Sequence, residues 1–243
     1  MLQWEAVLAG VNLENAAMEA CQDCLVYASH RNLYVLVDGR VQVLHPPVHA
    51  EQVHAVCLRG SLLVACSADG VLSRWQWRKD CFELDGIFKH KAALLRLDVL
   101  EDEIFALDGQ GNLLHLKDLQ PVKERSFGSA RALVVAVHPA GDFLAVALSD
   151  CSIRLLGKEL KELGLLSGHK DWVNWLVWNN QTLASAGADG TVRLWERNAR
   201  QSTGALEELV KAPSGGGLME CVGLLEGHDG PVHKVVWHGP LLF

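Results

Sequence analysis

The chain has 243 residues, of which 49% are hydrophobic and 21% charged, a composition that builds a substantial core and lies outside the disordered range. Its formal charge of −7 makes nucleic acid a poor first candidate for a ligand, although an acidic average still permits a local basic patch. The N-terminal MLQWEAVLAGVNLENAA has no basic flank ahead of an apolar stretch, and no apolar run nears the ~20 residues of a bilayer span. The expectation is a mature, soluble protein of the cytoplasm, with the nucleus as a second location and no membrane partner.

In chain order, short apolar and β-branched runs such as SLLVACSA, DFLAVALS and QTLASAGA alternate with Asp-Gly, Gly-Asn or Asn-Asn turns, the pattern of meandering antiparallel strands. The runs recur. Aligning SADGVLSRW with GADGTVRLW sets Asp69 against Asp189, and LSDCSIRLL and DGQGNLLHL put Asp150 and Gln110 at the same place. Positions 69, 110, 150 and 189 are 41, 40 and 39 apart, and SHRNLYVLV places His30 another 39 upstream. A second marker is independent of the first: His49, His90 and His169 each stand 20 residues before Asp69, Gln110 and Asp189. Six residues after the aspartate come Trp75 and Trp195, replaced by Leu116 and Leu156 in the other two repeats.

A period near 40 with these marks resembles the WD40 repeat, which carries Gly-His near its start and Trp-Asp near its end. Gly168-His169 and Gly227-His228 match the first mark, whereas Trp195-Glu196 and Trp75-Gln76 lack the final aspartate. The resemblance implies an all-β propeller of four-stranded blades. Counting from the markers predicts about five blades, at 1–44, 45–84, 85–125, 126–162 and 163–200, and the start of a sixth at 221–243. A seven-bladed parent is expected, so the propeller is incomplete: a fragment, a truncated product, or a chain that closes against another polypeptide. His169 to His228 spans 59 residues, and the excess falls in an inserted, exposed loop at about 197–220, with a helix-like ALEELVKA and a flexible Pro-Ser-Gly-Gly-Gly.

The repeat positions define a structural blade network of His49, Asp69, Trp75, His90, Asp150, His169, Ser185, Asp189, Trp195 and His228. In its fullest form His169 donates to Asp189, with Ser185 and Trp195 extending a buried polar chain. His90 faces neutral Gln110, and Ala130 stands where Asp150 would find its histidine, so these two blades are expected to be the least rigid.

Three stretches narrow the family further. WEAVLAGVNLENAA followed by CLVYASHRNLYVLV, the motif LSGHKDWVNWLVW, and the long insertion before LLEGHDGPVHKVVW resemble the N-terminal propeller of the WD40 scaffold subunit of the Elongator complex, its second subunit. That resemblance implies a non-catalytic scaffold in tRNA wobble-uridine modification, whose partners are other Elongator subunits including the catalytic one, and whose RNA contact is at most indirect. A full member of that family carries two propellers, and GHDGPV lacks a second Asp-Trp pair. A generic WD40 adaptor of a ubiquitin-ligase or chromatin complex is the alternative, and direct RNA binding the third.

No HExxH, GxSxG or GxxxxGK[ST] signature is present, and no nucleophile has a base beside it in sequence, so no catalytic, cofactor or metal residue is assigned. His54, His138 and His233 are read as packed or exposed. The seven cysteines, at 21, 24, 57, 66, 81, 151 and 221, are odd in number and dispersed, which reads as reduced, mostly buried thiols. Cys21 and Cys24 form a CxxC that no second pair completes. Trp175 and Trp178 are expected on opposite faces of a strand. Trp172, at the loop entering that strand, is a candidate partner-binding residue with Lys170, Asp171 and Asn174.

Overall fold

The computed structural model describes residues 18–20, 24–197 and 218–243, and its secondary structure is all β. The first sheet holds β1 (Met18–Ala20), β2 (Cys24–Ser29), β3 (Asn32–Val37) and β4 (Arg40–Val43); the second holds β5 (Val53–Arg59), β6 (Leu62–Ser67), β7 (Val71–Arg78) and β8 (Cys81–Lys89). The third is β9 (Leu94–Leu100), β10 (Glu103–Asp108), β11 (Leu113–Lys117) and β12 (Gln120–Arg125), and the fourth β13 (Ala132–Val137), β14 (Phe143–Leu148), β15 (Ile153–Gly157) and β16 (Glu162–Leu166). The fifth is β17 (Val173–Asn179), β18 (Thr182–Gly187), β19 (Val192–Arg197) and β20 (Met219–Leu225), after which β21 (Trp237–His238) and β22 (Leu241–Leu242) make a two-stranded hairpin. Within every four-stranded sheet the strands follow in chain order as antiparallel meanders, the blade unit of a WD40 propeller.

Burial explains the composition of each strand. Second strands are enclosed on both faces and read as near-continuous small and aliphatic runs: all of Phe143–Leu148 is buried, as is Leu63–Ser67 of β6. Fourth strands are sheet edges, and two of them show how an edge is kept from pairing. Every residue of β4 (RVQV) is exposed, and β12 (QPVKER) carries a proline and three charges, features that discourage pairing by a further strand.

The described residues fall into two compact units, one of residues up to 109 with 116–120, the other of 110–115 with residues from 121 onward. In the first, Val26, Val35, Val56, Leu63 and Trp75 form one core between the first and second sheets. In the second, Ala145, Leu155, Leu176, Leu183 and Trp195 form another between the fourth and fifth. Trp178 joins that core, donating its indole N–H to the Ala136 carbonyl at 3.1 Å and meeting His138 and Phe143 edge-on. Trp175 packs on the other side, with Ala184, Val192, Val232 and Val235, and Lys234 Nζ lies 4.5 Å from its ring centre.

Three boundaries differ from those counted on the markers, the first being 84/85, which falls inside β8. The sheets are offset from the repeats, because the Gly-His marker follows an outer strand: Leu165-Leu166 before Gly168-His169 end β16 of the fourth sheet, and Leu224-Leu225 before Gly227-His228 end β20 of the fifth. Residues 219–225 therefore close the fifth blade, pairing Arg197 with Met219 through Val192 with Leu225, rather than opening a sixth. The insertion accordingly lies between the third and fourth strands of one blade. Its ALEELVKA and glycine stretch, the first 17 residues and Cys21 lie outside the described residues. Of the described cysteines, expected to be mostly buried, the structure buries Cys57 and Cys66 and exposes Cys81 and Cys221.

Candidate functional site

The fifth blade brings four of the sequence-assigned side chains into one buried relay. His169 Nδ1 lies 3.0 Å from Asp189 Oδ2, His169 Nε2 lies 2.7 Å from Ser185 Oγ, and Trp195 Nε1 donates to that same oxygen at 2.8 Å. The direction of every proton follows from the one member that can only accept. The ionised Asp189 carboxylate requires a proton on His169 Nδ1, so the neutral ring accepts at Nε2 from the Ser185 hydroxyl, whose oxygen in turn accepts the Trp195 indole N–H. Asp189 also accepts from the backbone N–H of Lys170 at 2.8 Å and of Thr191 at 3.1 Å, and from the Thr191 hydroxyl at 2.8 Å. Burial would raise its carboxyl, but these hydrogen bonds prevail and hold it at about 2. Burial lowers the His169 pKa against the opposing pull of Asp189, so the ring stays neutral near pH 7.

The second blade reaches the same end with different residues. His49 and Asp69 do not meet directly, as the marker spacing implied. His49 Nδ1 donates to Ser67 Oγ at 2.6 Å, and Ser67 in turn donates to Asp69 Oδ1. On the other side His49 Nε2 lies 2.8 Å from Ser73 Oγ, which accepts the Trp75 indole N–H at 2.8 Å. Asp69 takes the remaining turn bonds, from Ala50 N–H at 2.7 Å and Val71 N–H at 3.1 Å. Burial lowers His49 to about 4.

In the third blade the neutral partner assigned to His90 is corrected. A carboxylate does face it, from two residues before Gln110: His90 Nε2 lies 3.5 Å from Asp108 Oδ2, and Asp108 is 1% exposed. The fourth blade, with Ala130 in the histidine position, turns Asp150 onto its own turn, where it accepts from Ser152 N–H at 3.0 Å and approaches Arg154 at 3.7 Å. The aspartate stays 43% exposed. His228 departs from its assignment: it is exposed on the loop after β20 rather than part of a buried relay.

Asp189, His169 and Ser185 have the connectivity of a hydrolase triad, which no local sequence motif announces because Ser185 is 16 residues from its base. Ser185 is fully buried, however, and both its donor and its acceptor functions are engaged, so its oxygen is not presented to a substrate. Ser67 and Ser73 are equally buried. Among the described residues no group of three or more His, Cys, Asp or Glu side chains is placed to hold a metal ion, and no helix is long and apolar enough to cross a membrane.

Of the candidate contact residues, Trp172 is 55% exposed, and Lys170 and Asp171 are exposed beside it. Its backbone is held on both sides, the N–H by Asp171 Oδ1 at 2.7 Å and the carbonyl by Ala188 N–H at 2.7 Å. Asn174 is half-buried and donates to the Val232 carbonyl at 3.0 Å.

Residues 160–196, which span this relay and this tryptophan, match the family described as WD domain, G-beta repeat. These residues are a WD40 repeat. Membership of the WD40 family is supported by that match together with the repeated four-stranded sheets. Over 157 residues, 61% of its length, the chain is 27% identical to "Cilia- and flagella-associated protein 57" of Mus musculus. Over 82 residues, 31% of its length, it is 39% identical to "Probable cytosolic iron-sulfur protein assembly protein 1" of Malassezia globosa. The matched regions span 12% and 21% of those two relatives. Among solved structures, the fold is similar to that of a chain in "Crystal Structure of Mitotic Checkpoint Complex", with a TM-score of 0.70 and 17% identity over 89% of this chain and 64% of that one. It is likewise similar to the computationally designed Ika8 protein, with a TM-score of 0.69 and 14% identity over 93% of this chain and 66% of that one.

Proposed function

We propose that this chain is a non-catalytic WD40 scaffold that holds protein partners through the rim carrying Trp172. One contrast supports the reading. The side chains with catalytic chemistry, His49, His169 and their serines, are sealed inside blades, while a large aromatic stands half-exposed on an anchored loop, as interface anchors do. In its finer form the assembly is Elongator, supported by CLVYASHRNLYVLV on β2 and β3, by GHKDWV at 168–173 and by the long insertion inside the fifth blade. The chain then works in the cytoplasm and the nucleus on tRNA wobble-uridine modification, with the radical and acetyl-transfer chemistry in a partner subunit.

The 39% identity to the iron–sulfur assembly protein favours a second reading, an adaptor in cytosolic iron–sulfur protein assembly. Affinity purification of the tagged full-length protein from its native cell, followed by mass spectrometry, separates them. A radical-enzyme subunit with acetyltransferase homology identifies Elongator, and iron–sulfur assembly components identify the adaptor. Another stable protein assembly leaves the scaffold in general form, and recovery of no stable protein partner overturns it.

A further inference from the structure

The turns that link third to fourth strands carry leucines where the backbone disfavours them. In the third blade the turn is Asp118-Leu119, and in the fourth Leu160 stands two residues before β16. Both leucines are left-handed, with φ of 60° and 54°, a conformation uncommon for a residue with a side chain. The first blade has Asp38-Gly39 at this place, the pair such a turn prefers. Turn geometry therefore does not select leucine, yet both leucines are buried.

The preceding blade supplies the reason. A Cβ placed on Gly86 of β8, in the second blade, would come within 2.5 Å of Leu119 Cδ1. Gly86 sits at a bulge: Arg74 pairs with Gly86 and Trp75 with Leu84, which leaves Asp85 unpaired in the ladder. Arg74 ties that bulge to the turn, with Nε 2.7 Å from Asp85 and Nη1 3.4 Å from Asp118. The fourth and fifth blades repeat the arrangement. β16 bulges at Leu163 beside Gly164, and the buried Leu218, which leads into β20, has its Cβ 3.5 Å from the position of a Gly164 Cβ. β12 has no glycine, and there two cations donate to carbonyls of the next turn, Lys123 Nζ to Glu159 at 2.5 Å and Arg125 Nη1 to Leu160.

We infer that these turns are latches, by which each blade holds down the outer strand of the blade before it, so that an outer strand opens only when its neighbour releases it. The second blade's turn, Lys79-Asp80, is exposed and has no leucine. β4 of the first blade, exposed along its whole length, is accordingly the outer strand that opens first.

The test is hydrogen exchange of the full chain read by mass spectrometry over 40–43, 81–89, 120–125 and the buried 143–148. In the native chain 40–43 should exchange faster than 81–89. Leu119→Asn, which suits the left-handed turn but removes the apolar contact, should accelerate exchange over 81–89 about tenfold and leave 143–148 unchanged. Gly86→Ala displaces the same leucine from the other side and should act alike, whereas Gly164→Ala meets Leu218 at ordinary contact distance and should leave exchange over 162–166 as it was. Unchanged exchange over 81–89 in Leu119→Asn, or equal acceleration in every strand, would overturn the latch. Slower exchange confined to 120–125 would also overturn it, because leucine would then be only a poor turn residue.

Discussion

The second and fifth blades build one polar relay from two sets of residues, and one pair of substitutions accounts for the difference at each end. In the fifth, Gly187 stands where the second has Ser67, and a Cβ at Gly187 would overlap both Asp189 Oδ1 and His169 Nδ1. Glycine thus permits direct contact of histidine and aspartate, whereas serine fills the gap with a hydroxyl that passes the hydrogen bond on. At the other end the bridging serine has crossed between strands. Ser185 pairs with Arg193 across β18 and β19, and Ala65 with Ser73 across β6 and β7. Cross-strand partners share a face about 5 Å apart, so either can meet the histidine and the tryptophan. A connected relay is kept while its members are exchanged, because any break strands a buried polar group.

The largest effect is expected from breaking the charged end. His169→Ala should destabilise the fold by about 3 kcal/mol in denaturant unfolding, since it leaves a desolvated carboxylate and serine without their partner. A loss under ~1 kcal/mol would show that water replaces the ring. Acid should separate the blades next. The folded pKa of His49, about 4, lies below its unfolded value of 6.5, so the unfolded chain binds the extra proton and stability falls as pH drops through that window. Relative to the native chain, His49→Gln should flatten the decline between pH 6.5 and 4 by about 3 kcal/mol; parallel profiles would contradict a neutral buried ring.

Ser73→Ala removes one hydroxyl and leaves the Trp75 N–H and His49 Nε2 unpaired, for an expected cost of about 2 kcal/mol. The same change at Ser152, outside any histidine relay, should cost less. The smallest expected effect is a gain. Gly70, Gly111 and Gly190 adopt positive φ after the repeat's turn residue, but the fourth blade has Cys151 there at φ 65°. Cys151→Gly should relieve left-handed strain of about 1 kcal/mol, read as a small rise in melting temperature.

The marker spacing made the repeats legible, along with the His169–Ser185–Asp189–Trp195 set, because offsets of 20 and 40 survive substitutions between markers. Ser67 and Ser73 were not legible, since they replace residues elsewhere in the repeat, although Ala65 opposite Ser73 was a visible sign of exchange. Asp108 escaped for a similar reason. Alignment on the turn directs attention to Gln110, while a carboxylate at the end of β10 reaches the same histidine from two residues upstream. The boundaries at 84/85, 162/163 and 221 were misplaced because the marker histidine follows the preceding blade's outer strand. Asn174 shows the limit for surface residues: a sequence neighbour of an exposed tryptophan can be half-buried and bonded to backbone, as Asn174 is to the Val232 carbonyl.

Equivalence of the two residue sets is tested most directly by transplanting one onto the other. Gly187→Ser alone should destabilise the fifth blade by about 3 kcal/mol through overlap with a formed histidine–aspartate pair. Adding Ser185→Ala and Arg193→Ser reproduces the second blade's set and should recover at least half of that loss in equilibrium unfolding. A triple variant no more stable than the single one would contradict the claim that the two blades share one relay.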